Sequence, residues 1–447
     1  MSLAYPKFGT DGIRGVANET LTPHVAMILG MAAAYVLGRH SSERHFLVGR
    51  DTRLSGMMLE AGLNAGLSSM GAIPVSIGVI PTPAVARLTL RHKAVSGVVI
   101  SASHNPYEDN GIKFFGNDGR KLSDEVEEEI ENAMSQWETL PRPSAASIGV
   151  PRQDESMRDE YLEILLSMVD FSLKGMRIVL DCANGAAYDI APKLFSELGA
   201  DVCVIHHEPD GVNINLDCGS THPAHLCQKA KEFGADAGLA FDGDCDRVMM
   251  CDENGDIVDG DKMMAICALN MKKKRVLNPP AVVATVMSNA GLEVALNNAD
   301  IQLIRTDVGD RYVAEQMHRI HALIGGEQSG HILLPNLTPT GDGMVTGLQI
   351  LKVMRSEGKP LSELASVVKT CPQLLKNVRV KDRLAWKSDP VIQKAISDAR
   401  SKLTKPEWLS VRPSGTEPLV RVMAQDTDAE RVKEVVHTLC DLISATA

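Results

Sequence analysis

One arrangement recurs three times along the chain: an apolar strand, a helix, a turn and a second apolar strand. Phe46 to Gly49, a helix from about Ser55 to Met70 and Ile73 to Ile77 form the first copy. Arg177 to Leu180, a helix from near Asp189 to Leu198 and Val202 to Ile205 form the second, and Ala281 to Thr285, a helix to about Asn297 and Ile301 to Ile304 the third. Strands alternating with helices make βαβ units. In each copy a further strand then runs into a polar, glycine-bearing or proline-bearing loop. Val95 to Ile100 enters Ser101-Ala-Ser-His-Asn-Pro106, Ala237 to Phe241 enters Asp242-Gly-Asp-Cys-Asp-Arg247, and His321 to Ile324 enters Gly325-Gly-Glu-Gln-Ser-Gly-His331. Open α/β sheets place ligand sites beyond such strand ends, so three equivalent loops facing one another predict a single composite cleft.

The tail breaks the pattern. A strand at Leu409 to Val411, the loop Arg412-Pro-Ser-Gly-Thr-Glu-Pro418, a strand at Leu419 to Ala424 and a helix from about Asp428 to Ala445 read as a smaller α+β unit. The expected fold is therefore α/β: three similar domains with mixed sheets flanked by helices, at 1–152, 153–254 and 255–368, and a C-terminal α+β domain at 369–447, around one central cleft. The length of 447 residues suits several such domains at roughly 150 residues each.

Fifty-seven acids against 46 bases give a net charge of −11, a repulsive average field for nucleic acid. Nine cysteines without a CxxC pair argue against a disulfide framework or zinc ribbon and for a reducing cytosol, and the N-terminus lacks a secretory pattern. A cytoplasmic location is expected. The apolar stretch Val25 to Leu37 is too short to cross ~30 Å of hydrocarbon, and Ala61 to Ala86 is broken by three prolines and four glycines. Both read as buried core, and no membrane partner is expected.

Three carboxylates at alternate positions, Asp242, Asp244 and Asp246, follow an apolar strand. In a loop they can converge on one hard cation, which resolves their repulsion. An EF-hand does not fit, because Arg247 stands where that loop needs glycine and a strand precedes it. Ser103 puts a hydroxyl on a tight turn, with Asn105 and Pro106 bracing it. Lys113, in Asn110-Gly-Ile-Lys-Phe-Phe115, either sits in apolar surroundings that lower its pKa toward the acid/base range or snorkels off a strand. Glu327, Gln328 and Ser329 cluster a carboxylate, an amide and a hydroxyl between glycines, the inventory for reading sugar hydroxyls or an amine. Arg412, Ser414, Gly415, Thr416 and Arg421 supply guanidinium forks, hydroxyls and an open backbone N–H, as a phosphate dianion requires. Phe8-Gly-Thr-Asp-Gly-Ile-Arg14-Gly15 adds a glycine-rich loop with another arginine.

Together and in this order, the five motifs resemble those of the α-D-phosphohexomutase family, over essentially the whole chain. The resemblance implies that Ser103 is the phosphorylated serine and that Asp242, Asp244 and Asp246, with its phosphate, bind one Mg²⁺. It further implies that Glu327, Gln328 and Ser329 hold the sugar and that Arg412, Ser414, Gly415, Thr416 and Arg421 hold the phosphate not being transferred. Arg14, His104, Lys113, Arg247 and His331 would surround the transfer site, with acid and base not separated among them. Cys245 stands where the family's loop has glycine, which requires a backbone that avoids positive φ there and sets a thiol beside the metal. Gln328, where relatives acting on glucose or mannose phosphates carry methionine, favours the glucosamine branch.

The implied reaction is reversible conversion of glucosamine 6-phosphate to glucosamine 1-phosphate through phosphoserine and a glucosamine 1,6-bisphosphate intermediate, for UDP-N-acetylglucosamine synthesis. The implied partners are a small phosphosugar and an activating kinase, or autophosphorylation in its place, with a homodimer compatible. The rivals are a phosphomannomutase or phosphoglucomutase of the same family, a non-catalytic sugar-phosphate binder, and an aspartyl sugar phosphatase with Asp242 as nucleophile. Asp246 occupies a position where such a phosphatase usually has Thr or Val.

Overall fold

In the computed structural model, which describes residues 5–9, 11–39, 43–413 and 418–446, the three repeats share one strand order. The first sheet contains the run Ile73–Val79, His45–Arg50, Ser96–Ile100, Asp109–Phe115, with Arg152–Gln153 and Ile13–Val16 added at its two edges. The second contains Asp201–Ile205, Arg177–Asp181, Ala237–Phe241, Val248–Asp252, with Ile257–Val258 added beyond the last, and the third is Gln302–Thr306, Ala281–Thr285, Gly325–Gly326, Ile332–Leu333. The first three strands of each set are parallel and the fourth returns antiparallel. Each polar loop is therefore the connection from the last parallel strand into the return strand, which places all three at the same end of their sheets.

The third copy differs from expectation in one place. His321 to Ile324 is no strand, because His321 closes the helix Asp310–Ile320 in the left-handed conformation (φ 57°), its N–H donating to His318 O and that of Ala322 to Met317 O. Ala322 and Ile324 are buried as connectors, and pairing begins only at Gly325, against Val283.

Both charge-free stretches are core. Val25 to Leu37 lies in the helix Pro23–Gly38, started by Thr22, whose side chain accepts from Val25 N. It packs backbone to backbone on the helix Gly56–Ser69: a Cβ added at Gly66 would lie 2.0 Å from Met27 O. No helix among the described residues is long and apolar enough to cross a membrane.

One continuous buried cluster joins the three α/β units, with Leu47 and Ile77 from the first, Leu180 and Phe241 from the second, and Val282 and Ile324 from the third. The last sheet, Gln373–Arg379, Leu419–Gln425, Leu409–Pro413, is antiparallel and has a separate core under the helices Pro390–Lys402 and Ala429–Thr446. It is fastened to the third unit: Ala290 N donates to Gln425 Oε1 (2.6 Å), Gln425 Nε2 to Ser288 O (3.1 Å) and Trp408 Nε1 to Glu293 Oε2 (3.0 Å).

Candidate active site

Ser103 follows the strand Ser96–Ile100 and is buried, at φ 53°. A left-handed non-glycine residue of this kind costs of order 1–3 kcal/mol and persists only where its surroundings over-determine it. Here they do. Ser103 N donates to Ser101 Oγ (2.9 Å), Ser101 Oγ donates to Asp51 Oδ2 (2.6 Å), and Arg53, paired with Asp51, donates through Nη2 to Ser103 O (2.9 Å). Asn215 Nδ2 reaches the same carbonyl at 2.9 Å.

Across the cleft, donor oxygens of Asp242, Asp244 and Asp246 all lie within 4.8 Å of one another. Ser103 Oγ donates to Asp242 Oδ2 at 2.6 Å, joining two loops 139 residues apart. Burial and the charges of Asp246 and Asp244 push the Asp242 carboxyl well above the usual carboxylate range. Oδ1 of Asp244 is buried without a hydrogen-bond partner. Convergent carboxylates with an orphaned oxygen are the chemistry a hard divalent cation satisfies, so the residues fit Mg²⁺.

Cys245 overturns its expectation. Its backbone is left-handed (φ 61°), as the glycine of the family loop would allow, although it carries a side chain. The side chain is buried in the main apolar cluster, and burial followed by the Asp342 and Asp242 charges pushes the thiol well up. It is not part of the carboxylate cluster.

Lys113 is also corrected. The side chain is 2% exposed, so it does not snorkel. Burial alone would lower its pKa, but Asp11, Asp244 and Asp246 outweigh burial and raise it. Its Nζ lies 2.8 Å from Asp11 Oδ2, 2.9 Å from Asp244 Oδ2 and 3.9 Å from Asp246 Oδ2. From there the charges alternate round a ring. Lys121 Nζ is 2.7 Å from Asp11 Oδ1 and 2.7 Å from Asp310 Oδ2, and His331 spans Asp310 and Asp246 at 3.5 Å each. The ring ties all three α/β units together.

The other predicted residues fall around it. Arg14 pairs with Asp11 and reaches Asn105 Oδ1 (3.4 Å). Arg247 Nε is 3.7 Å from Asp246 Oδ1, and its backbone N–H donates to Asp242 Oδ1 (3.1 Å). His104 Nδ1 is 3.5 Å from Ser103 Oγ, and burial with the Arg247 and Arg14 charges pushes the imidazole down to about 4. Glu327 accepts from Gly309 N (3.2 Å), Ser329 Oγ is 3.5 Å from Glu327 Oε2, and Gln328 Nε2 donates to Asp259 Oδ2 (3.3 Å). Gly330, at φ 91°, lets this loop sit against Val248, where a Cβ would lie 2.0 Å from the carbonyl oxygen.

Arg412 and Arg421 are direct cross-strand partners in the last sheet. Burial and the facing Arg421 lower the Arg412 pKa, while Asp307 of the third unit works against this. Like charges directly opposite are unfavourable, so the pair suits an anion. Ser414, Gly415 and Thr416 lie outside the described residues.

The sequence reading missed Asp11, Lys121 and Asp310, and with them the bracing roles of Asp51, Arg53, Thr82 and Asn215. Thr82 Oγ1 donates to Asp244 Oδ2 (2.7 Å). Asp11 had a signal, since it lies inside the motif Phe8 to Gly15. Asp310 and Lys121 had none, because a lone charged residue beside a helix start or a turn reads as surface.

Family models match the chain in four segments: phosphoglucomutase/phosphomannomutase alpha/beta/alpha domains I (6–140), II (159–255) and III (259–371), and the C-terminal domain (375–442). A phosphoglucosamine mutase of a Thermoanaerobacter species is 51% identical over 438 residues, 98% of each chain. That of Pelotomaculum thermopropionicum is 50% identical over 437 residues, again 98% of each. Among solved structures, a phosphoglucomutase/phosphomannomutase family protein from Burkholderia thailandensis superposes with a TM-score of 0.81 at 22% identity, covering 99% of this chain and 98% of that one. N-acetylphosphoglucosamine mutase from Aspergillus fumigatus, solved with GlcNAc-6P and magnesium, gives 0.70 at 17% identity, covering 98% and 95%.

Proposed function

Because the chain belongs to the phosphoglucomutase/phosphomannomutase family, we propose that its phosphoryl transfer is carried by Ser103 on the carboxylate loop Asp242 to Asp246. The enzyme is an isomerase of amino-sugar metabolism, interconverting D-glucosamine 6-phosphate and α-D-glucosamine 1-phosphate. The observation that best supports the assignment is the 2.6 Å contact from Ser103 Oγ to Asp242. Ser101, the other hydroxyl of that loop, is already committed to Asp51 and to Ser103 N.

In the proposed cycle the P–O bond on Ser103 breaks as a new one forms to the free sugar hydroxyl, whose proton is taken by a side chain of the site while the departing Ser103 Oγ is protonated by another. The resulting glucosamine 1,6-bisphosphate turns over, and its other phosphoryl group returns to Ser103 Oγ. Asp242, Asp244 and Asp246, with the Ser103 phosphate, would hold one Mg²⁺. Bound there, the ion neutralises charge on the transferring group. Arg14, Lys113 and Arg247 add fixed positive charge on the same side, and the ring through Lys121, Asp310 and His331 keeps the loops in register. Glu327, Gln328 and Ser329 would take the sugar, with Gln328 held by Asp259. Arg412 and Arg421, with Ser414, Gly415 and Thr416, would clamp the phosphate at rest, either end of the near-symmetric bisphosphate presenting the same group to them. Ser103 needs initial loading by a kinase or by autophosphorylation.

The test is a coupled assay on one preparation, comparing glucosamine 6-phosphate with glucose and mannose phosphates. It is joined to intact-mass mapping of the phosphoprotein. Preference for glucosamine 6-phosphate with phosphate on Ser103 is expected. An acid-labile phosphate on Asp242, with release of inorganic phosphate and no isomerisation, would overturn the mechanism in favour of a phosphatase.

A further inference from the structure

A second cluster of metal-ligating atoms lies in the second α/β unit, behind the carboxylate loop. Asp181 ends the strand Arg177–Asp181, His206 follows the neighbouring strand Asp201–Ile205, and Cys218 comes from the loop that returns beneath the strand Ala237–Phe241. One donor atom from each lies within 4.8 Å of the other two. Asp181 and Cys218 are buried and the His206 side chain is 23% exposed, which leaves a path inward on one side.

The three donors come from three separate segments and converge on one place. Nδ1 of His206 lies 3.0 Å from Asp181 Oδ1, an Asp–His contact that a shared cation would replace. The carboxylate and the ring are already oriented. Asp181 accepts from Ala183 N through Oδ1 (2.9 Å) and from Gly219 N through Oδ2 (3.0 Å), and Nε2 of His206 lies 3.1 Å from Nδ1 of His225. Such outer contacts orient metal ligands and set which imidazole nitrogen is free. The chain is bent to bring the three together: Ala183, Asn184, His206 and Asp217 all sit at positive φ.

We propose that Asp181, His206 and Cys218 form a second metal site, for a borderline-soft divalent ion of the Zn²⁺ type, with water in the fourth position. One oxygen, one nitrogen and one sulfur donor select such an ion over Mg²⁺, which wants oxygen only. Binding breaks the Cys218 S–H bond, sends the proton to solvent and forms a sulfur–metal bond, with no change of oxidation state. Because the thiol loses its proton on binding, metal uptake weakens in acid and strengthens as pH rises. The bound ion would brace the floor of the transfer site, since Ser220 N, two residues beyond Cys218, donates to Phe241 O (2.9 Å), the carbonyl just before Asp242.

The test uses the full chain stripped of metal and then saturated with Mg²⁺ to fill the carboxylate loop, with Co²⁺ titrated in as a spectroscopic stand-in. A thiolate-to-cobalt band in the near ultraviolet at one equivalent is expected. His206→Ala should bind at least about tenfold more weakly, Cys218→Ser should lose the band, and Asp244→Asn should keep it. Zn²⁺ should raise the melting temperature of the wild type and not that of His206→Ala, a readout that still decides the matter where Cys218→Ser fails to fold. No band in the wild type, a band that survives Cys218→Ser, or equal Zn²⁺ stabilisation of His206→Ala would each overturn the site.

Discussion

Around Ser103 the charged side chains alternate in sign and are buried or half-buried, whereas Arg412 and Arg421 meet as like charges across neighbouring strands. The first region is drawn from three units fused by a continuous apolar cluster, and Ser103, its proposed nucleophile, is fixed from several sides. The second rides on a sheet with a separate core, fastened to the third unit. In the proposed cycle the difference separates two tasks. Transfer needs atoms held in fixed relation, and preorganised charge there stabilises without reorganising. Holding a phosphate that must leave and return as its other end needs a strong but releasable clamp, and two facing guanidinium groups become favourable when an anion lies between them.

The largest expected effect breaks the first region at its centre. Ser103→Ala removes one hydroxyl and its contact to Asp242, so the fold should survive while the mutase rate falls by about three orders of magnitude or more. The coupled assay and the loss of the phosphoprotein mass adduct measure it; an adduct persisting on Ser101 would move the nucleophile.

Arg421→Lys probes the clamp. It keeps the charge but loses the planar fork, and losing one charge-assisted hydrogen bond is worth roughly 1.5–3 kcal/mol, about one to two orders of magnitude in binding. A KM raised by that factor is expected, together with greater dependence on added glucosamine 1,6-bisphosphate. A normal KM without that dependence would place the resting phosphate elsewhere.

Asp244→Asn returns to the carboxylate loop. Lys113 keeps Asp11 as a partner, so the chain should fold, while the Mg²⁺ concentration for half-maximal rate rises at least about tenfold. Rate measured against Mg²⁺ decides it, and an unchanged curve would exclude Asp244 as a ligand.

The smallest effect concerns Cys245. Glycine and alanine both delete the buried sulfur, but only glycine relieves the left-handed backbone, so Cys245→Gly should be more stable than Cys245→Ala by about 1 kcal/mol. Thermal melts of the two variants read the order directly. The reverse order would show that the loop carries no strain there.

The three repeats were legible because apolar periodicity and turn residues are local. Phe46 to Gly49 and Ala281 to Thr285 could be read as strands without knowing what they pack against. His321 to Ile324 could not, since a strand and the connector after a helix cap carry the same apolar residues. Ser103 and the aspartates stood out for their spacing after a strand, while Lys113 misled because the carboxylates that raise its pKa lie on residues 11, 244 and 246.

Sequence alone determined the βαβ units, the loops at their strand ends and the residue types each loop presents, since these follow from the order of side chains along a few turns of chain. Only the tertiary structure decided the left-handed backbone at Ser103 and Cys245, the ring through Lys121, Asp310 and His331, and the facing of Arg412 with Arg421. The first two depend on contacts between segments far apart in sequence and the last on the register of two consecutive strands, and a charge, a strained backbone or a pKa is set by the field and packing of whatever the fold brings within a few ångströms.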